Sequence, residues 1–481
     1  LFIDIWAPVK ASPTSLLPVK VWLYGGANAA GGISDGLYGG CFSSSNVIQV
    51  SINYRVGPLG FLALDTLGLK GNYGIQDQLL GLKWVQDNIA AFGGDPSRVM
   101  LFGQSAGASD TLALASLPQG PKLFHSAAIE SAANTHVQTL AEAQTFNAAF
   151  VSALNCSVSD LACVKAVSSD TLYAVSQAMP GTLGLTMGPV VDGNIIPRQP
   201  IEAGLKVPAI VGSTTNEGSL FTIGQFGPNV LSLNSSSYDA YLLASFGDKA
   251  GLVNSTYPLS MFSSSPAPVF TAINLISTLV TFRCPARRIM RTAAPLPVWT
   301  YSFNHTLTCA WYPNIPNNPQ ILALLGSTHT AELPFVFGQT TNMPPPSGNC
   351  SLTDKEKDLS TIMRTAWDGM AADGKPGVDW PIWTQEESMG INVVGDTWGS
   401  GKVDYSMCDF WDKLDASTAT PTSSSGPTKP TTSPSTSITA PTSSTSGGGA
   451  TSPTGQKGAA ARMVSSSAAW LGLFPFYMLV A

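Results

Sequence analysis

Charge is scarce in this sequence: of 481 residues only 11% are Asp, Glu, Lys or Arg, and the formal net charge is -6. A chain without an excess of basic residues cannot neutralise a run of phosphates, so nucleic acid is not expected as a partner. Histidine is rarer still, with four in the whole chain. The seven cysteines include no Cys-x-x-Cys pair, and no His/Cys cluster has zinc-site spacing. They are therefore read as disulfide formers, and no metal or organic cofactor is expected. The sequence opens on Leu1 with no charged-then-apolar leader before it, so its start reads as a cut end. Its last fourteen residues, from Ala468, are apolar but shorter than the roughly 20 needed to span a bilayer.

What is plentiful is apolar and small. Hydrophobic residues make up 44% of the chain, enough for a sizeable core, and glycine numbers 46. Val19 to Leu23 and Val47 to Asn53 read as buried strands, the first followed by the turn Gly25-Gly26. Leu79, Leu82, Val85 and Ile89 share one helix face, which Gly93-Gly94-Asp95-Pro96 terminates. The strand Val99 to Phe102 then runs into Gly103-Gln104-Ser105-Ala106-Gly107 and a helix rich in small residues. Strand, helix, strand, elbow, helix is the order of an α/β fold with a mostly parallel central sheet, whose reactive groups gather beyond the strands' carboxyl ends.

Gly-x-Ser-x-Gly recurs by accident in a glycine-rich chain, so the nucleophile reading of Ser105 needs partners. A hydrolytic serine requires a base, an acid to orient the base, and N–H donors for the oxyanion. Of the histidines, His125 and His136 follow the elbow too closely for the chain order Ser, acid, His, and read as structural or exposed. His305 lies inside the sequon Asn304-His305-Thr306, whose glycan would place that edge in solvent. His329, on a loop in "GSTHTAEL", is the best base. Glu217, on the loop after the short strand Ala209 to Val211, is favoured as the acid over Asp192, which also reads as a turn former before Gly193. The turn "YGGANAAGG" supplies the amides of Gly26 and Ala27 for the oxyanion, with Ala106 as the third donor.

With these residues assembled, the chain resembles the type-B carboxylesterase/lipase family of α/β-hydrolases, and its fungal members most. The likeness runs from about Leu1 to Leu414 and is carried in order by "VWLYGGA", "SINYRVGPLGFL", "GNYGIQDQLLGLKWVQDNIAAFGGDPSRVMLFGQSAGA", "GPVVDGNIIP", "VPAIVGSTTNEG" and "HTAELPFVFG". It implies hydrolysis of carboxylic esters through an acyl-enzyme, with nucleophile, acid and base on Ser105, Glu217 and His329, and oxyanion donors on Gly26, Ala27 and Ala106. It also implies disulfides joining Cys156 to Cys163 and Cys284 to Cys408, with Cys309 to Cys350 as a third, leaving Cys41 odd. Three features depart from the family pattern. Its usual segment before "LFIDIWAP" is missing, so the sequence reads as N-terminally incomplete. Ala27 and Asn28 stand where a third glycine and an aromatic are usual. Gln104 replaces the commoner glutamate beside the nucleophile, which argues against a preference for cationic alcohols.

Two further activities remain open beside the carboxylesterase: a triacylglycerol or sterol-ester lipase using the same site, and a non-catalytic cell-surface adhesion domain on the same fold. Either enzyme would take a small-molecule or lipid ester as its substrate. Five Asn-x-Ser/Thr sequons, at Asn155, Asn234, Asn254, Asn304 and Asn349, agree with the cysteines in pointing to a secreted or cell-surface protein. The hydrolase domain is expected over 1–416. Residues 417–460 turn abruptly to Ser, Thr, Pro and Gly and read as a disordered, O-glycosylated stalk. Residues 461–481, after the small residues Gly458-Ala459-Ala460, resemble a glycolipid-anchor signal.

Overall fold

The computed structural model describes residues 1–33, 46–133, 135–179, 187–309, 311, 319–341, 350–377 and 379–416. Cys41, Asn349 and the expected stalk and tail, 417–481, lie outside the described residues. Nine strands form one sheet: β1 (Phe2–Trp6), β2 (Leu17–Leu23), β3 (Ile48–Asn53), β4 (Gly94–Gln104), β5 (Ser126–Glu130), β6 (Ala209–Thr214), β7 (Val298–Asn304), β8 (Met389–Val394) and β9 (Thr397–Lys402). Their order across the sheet is β1-β3-β2-β4-β5-β6-β7-β8-β9. Every pair from β3 to β8 is parallel, and only the edge strands β1 and β9 run antiparallel to their neighbours. The inner strands are buried on both faces, as parallel strands covered by helices must be, which is why β2, β4 and β6 read as near-continuous apolar runs.

Helices α1 (Tyr73–Asn88), α2 (Ala106–Ser116), α3 (Glu217–Phe226), α4 (Pro268–Thr278), α5 (Cys284–Arg291), α6 (Asp354–Asp373) and α7 (Cys408–Ala416) position the site. The expected helix over 76–89 is α1 and the short 3-10 turn that extends it. Its fully buried stripe contains Ile75, Gln78, Leu82 and Val85, while Leu79 is only half-buried. A turn of π-helix, Leu279–Arg283, joins α4 to α5. The combined run 268–291 is long and apolar enough to cross a membrane, but 83% of its most apolar window is packed inside this domain.

Trp22 on β2 meets Phe102 on β4 at 4.8 Å between ring centroids and Phe337 at 4.9 Å. Phe337 ends the short helix that follows the His329 loop, so this aromatic cluster ties that loop to the middle of the sheet. The last described helix, α7, is fastened to α5 in two ways. Cys284 is disulfide-bonded to Cys408, and Arg287, Arg288 and Arg291 form ion pairs of 2.6–2.7 Å with Asp409, Asp412 and Asp415. Cys156 is bonded to Cys163 and Cys309 to Cys350.

Helix α2 approaches the end of β2 closely at Gly107, where a Cβ would lie 2.1 Å from the Leu23 carbonyl oxygen and 2.6 Å from that of Tyr24. Gly107→Ala is therefore expected to destabilise the domain by more than about 2 kcal/mol. Gly251, in the helix Ala250–Thr256, has open space at its Cβ position, and Gly251→Ala should add about 0.5–1 kcal/mol. Urea midpoints of the two variants against wild type measure both effects.

Candidate active site

Four consecutive parallel strands end at the same edge of the sheet and deliver the site. β4 ends at Gln104, and Ser105 turns the chain into α2 with φ 58 and ψ -123. That left-handed conformation is uncommon outside glycine and marks a sharp elbow. The Ser105 amide is held by the Glu130 carbonyl at the end of β5, at 2.9 Å. β5 in turn ends in Ser131, also at positive φ, whose hydroxyl donates to Glu217 Oε1 at 2.5 Å. The Thr214 amide at the end of β6 donates to the same oxygen at 2.7 Å. The other carboxylate oxygen of Glu217 lies 2.5 Å from Nδ1 of His329.

His329 is 2% exposed and walled by aromatic rings, with Phe282 centred 4.7 Å and Phe221 5.2 Å from it. Phe282 comes from the π-helical turn and Phe221 from α3. Together with Thr222, Gln225, Ile273, Ser277 and Thr281 they line a narrow cleft of mixed apolar and polar side chains. The Gln104 amide nitrogen lies 3.3 Å from Nδ1 and 3.1 Å from Nε2 of the same imidazole. A donor nearly equidistant from both nitrogens and lying in the ring plane would collide with Cε1. The amide therefore sits over the ring face rather than along either lone pair.

The donors expected for an oxyanion flank this elbow. Gly26 has φ 105, and Ala27 and Asn28 have φ 55 and 57. The Gly26 carbonyl accepts from the amides of Ala29 and Ala30 at 2.9 and 3.0 Å, and a Cβ on Gly26 would lie 2.4 Å from the Ala30 oxygen. Among the described residues no group engages the amides of Gly26, Ala27 or Ala106.

The other histidines stand elsewhere. His125 Nδ1 lies 2.8 Å from the Val99 carbonyl, and His136 pairs with Glu142 at the surface. His305 differs from expectation: Asn304 is exposed, but the His305 side chain turns inward and meets Glu356 Oε1 at 2.7 Å. The strand alternation at the end of β7 sends the two neighbours to opposite sides. Asp192 caps a turn, accepting from the amides of Asn194 and Ile196. Of the other sequon asparagines, Asn155 and Asn234 are exposed and Asn254 is half-buried.

Sequence reading missed three groups beside His329 and Glu217: Ser131, Glu130 and Glu332. A polar pair ending the apolar strand "SAAIES", and a carboxylate three residues after His329, were the available signals. Glu332 is fully buried, and its carboxyl is held far above the ordinary range by that burial and by the charges of Glu217 and Glu130. Glu130 is pushed from 4.5 to about 8 by burial, against the pull of the Trp367 Nε1 donor on α6 at 2.6 Å and of nearby Lys20. Three buried carboxyls lie together under the site, and burial raises two of them, Glu130 and Glu332, above the ordinary carboxylate range.

The sequence matches the model of the carboxylesterase family over residues 1–406. It is 32% identical over 404 residues to para-nitrobenzyl esterase of Bacillus subtilis (strain 168), covering 80% of this chain and 77% of that protein. It is 31% identical to fumonisin B1 esterase of Sphingopyxis macrogoltabida, over 84% of this chain and 74% of that one. Bile salt-activated lipase of Rattus norvegicus is 29% identical over 79% of this chain and 65% of its own length.

Because Glu130 binds its proton more tightly folded than unfolded, its contribution is fully favourable below about 4.5. Stability is then lost as pH rises from there through about 8. Glu130→Gln should remove that slope. The unfolding free energy of the variant relative to wild type should climb between pH 5 and pH 8, as read from urea titrations at each pH.

Proposed function

This chain belongs to the carboxylesterase family and is a serine ester hydrolase, and from that premise we propose that Ser105, His329 and Glu217 are its catalytic triad. The observation that supports the reading is a serine in a left-handed elbow, next in chain to the Gln104 side chain that touches the imidazole, together with a histidine whose Nδ1 is 2.5 Å from a buried carboxylate. Ser105 Oγ attacks the ester carbonyl carbon and passes its proton to His329 Nε2, while the carbonyl electron pair moves onto oxygen. The amides of Gly26, Ala27 and Ala106 stabilise that oxyanion. Collapse of the intermediate breaks the bond to the alcohol oxygen, which takes the proton from His329. Water then repeats the sequence on the acyl-enzyme and releases the acid. Glu217, fixed by Ser131 and the Thr214 amide, orients the imidazole and offsets the charge it acquires.

Gln104 places no charge beside the nucleophile, which suits an uncharged ester. The three disulfides and the exposed sequon asparagines support an oxidising, extracellular setting. We assign 417–460 as the stalk and 461–481 as the glycolipid-anchor signal on composition.

An alkyl fluorophosphonate should give one adduct per chain on Ser105, located by peptide mass spectrometry and absent from Ser105→Ala. His329→Gln should lower kcat by at least about 1,000-fold with the fold intact by circular dichroism. A folded wild-type protein that takes no label would instead favour the adhesion reading. If the tail directs glycolipid attachment, phosphatidylinositol-specific phospholipase should release the full-length expressed protein from cells. Retention on the cells after treatment would count against the anchor.

A further inference from the structure

The oxyanion loop has a conformational problem. Ala27 and Asn28 are consecutive non-glycine residues in the left-handed region. That costs an ordinary residue about 1–2 kcal/mol, somewhat less for asparagine. The turn bonds at Gly26 and a 2.6 Å bond from the Gly57 amide to the Asn28 carbonyl fix the backbone on either side. Among the described residues one side-chain bond of Asn28 remains, and it leads away from the loop. Asn28 Nδ2 donates to Asp110 Oδ1 at 3.0 Å, and Gln78 Nε2 on α1 donates to Asp110 Oδ2 at 2.6 Å. Asn28 is 5% exposed, and Gln78 and Asp110 are fully buried.

Asp110 has no role in the proton transfers described above, and no cation among the described residues pairs with it. Burial raises its carboxyl to about 7, while the two amide bonds draw it down. A lone buried carboxylate is costly to keep and needs a structural reason. Its position supplies one. Asp110 lies on α2, little more than a turn after Ala106, whose amide opens that helix. The bond to Asn28 therefore couples the two halves of the oxyanion site: the loop that offers Gly26 and Ala27, and the helix that offers Ala106.

We propose that Asn28 is a positioning residue for ester hydrolysis, tethered through Asp110 to α2 and braced by Gln78 so that the loop donors keep a fixed distance from the helix donor. The proposal rests on the reading of Gly26, Ala27 and Ala106 as oxyanion donors. It also gives a reason for asparagine where the family pattern has an aromatic. With alanine in place of the third glycine, the loop needs an external bond to hold its left-handed pair, and asparagine both tolerates that conformation and supplies the donor.

The informative variant is Asn28→Gly, which keeps the left-handed backbone accessible and removes only the tether. Its kcat should fall about 10- to 100-fold with KM within about twofold, and its affinity for a trifluoromethyl ketone, which forms the tetrahedral oxyanion adduct, should fall by the same factor. Amide exchange at Gly26 through Ala30, followed by mass spectrometry, should accelerate. Asp110→Asn is the conservative rescue: the Asn28 amide can turn its oxygen to the new Nδ2, so kcat should stay within about threefold of wild type. Wild-type exchange rates and ketone affinity in Asn28→Gly would overturn the tether. Wild-type protein that neither hydrolyses esters nor binds the ketone would instead overturn the reading of the site. In that case accelerated exchange in Asn28→Gly would still support a tether on the loop, though not a catalytic purpose for it, and unchanged exchange would remove both.

Discussion

The carboxylate of Glu217 is where the site is joined together. One oxygen takes a hydroxyl from the end of β5 and an amide from the end of β6, and the other faces His329 on a loop more than a hundred residues later. A buried carboxylate with a single partner would be unstable; with three donors it becomes a fixed point to which separate strand ends are referred. The rest of the geometry follows. β5 also carries the carbonyl that holds the Ser105 amide, so Ser105 and Glu217 share one scaffold strand.

The polar groups of this region are deeply buried. Glu130, Glu332 and Asp110 are all fully buried and all raised by burial, while the imidazole is enclosed by Phe221 and Phe282. The low local dielectric makes the remaining interaction between Glu217 and His329 stronger than it would be in water.

The parts of this arrangement that were legible in the sequence are those specified locally. The elbow shows as glycines that flank a serine between an apolar strand and a small-residue helix, and each glycine is explained by a backbone approach. β2, β3 and β4 show as apolar runs because both faces of a parallel sheet are covered. β7, β8 and β9 carried no comparable signal: polar residues such as Thr300, Ser302 and Asn392 interrupt them, and their place is set by neighbours distant in the chain. His305 shows the same limit. A sequon bears on its asparagine but says nothing about the next residue, which the strand pleat turns inward to Glu356. Ser131, Glu332 and the bond from Asn28 to Asp110 were illegible for a related reason. Their meaning lies in which side chain each meets across the fold.

The junction of α5 and α7 bears on how the domain would respond to pulling. A force applied along the chain at Ala416 would reach the sheet only after passing α7, and α7 is stapled to α5 by the bond between Cys284 and Cys408 and by a row of arginine–aspartate pairs. The covalent link is at the far end of the helix from the point of loading. The ion pairs would therefore yield one after another while the disulfide still held, and the disulfide would hand the tension to residue 284. Helix α5 continues directly into the π-turn that sets Phe282 against His329. The same staple thus couples the wall of the His329 imidazole to whatever tugs on the end of the domain.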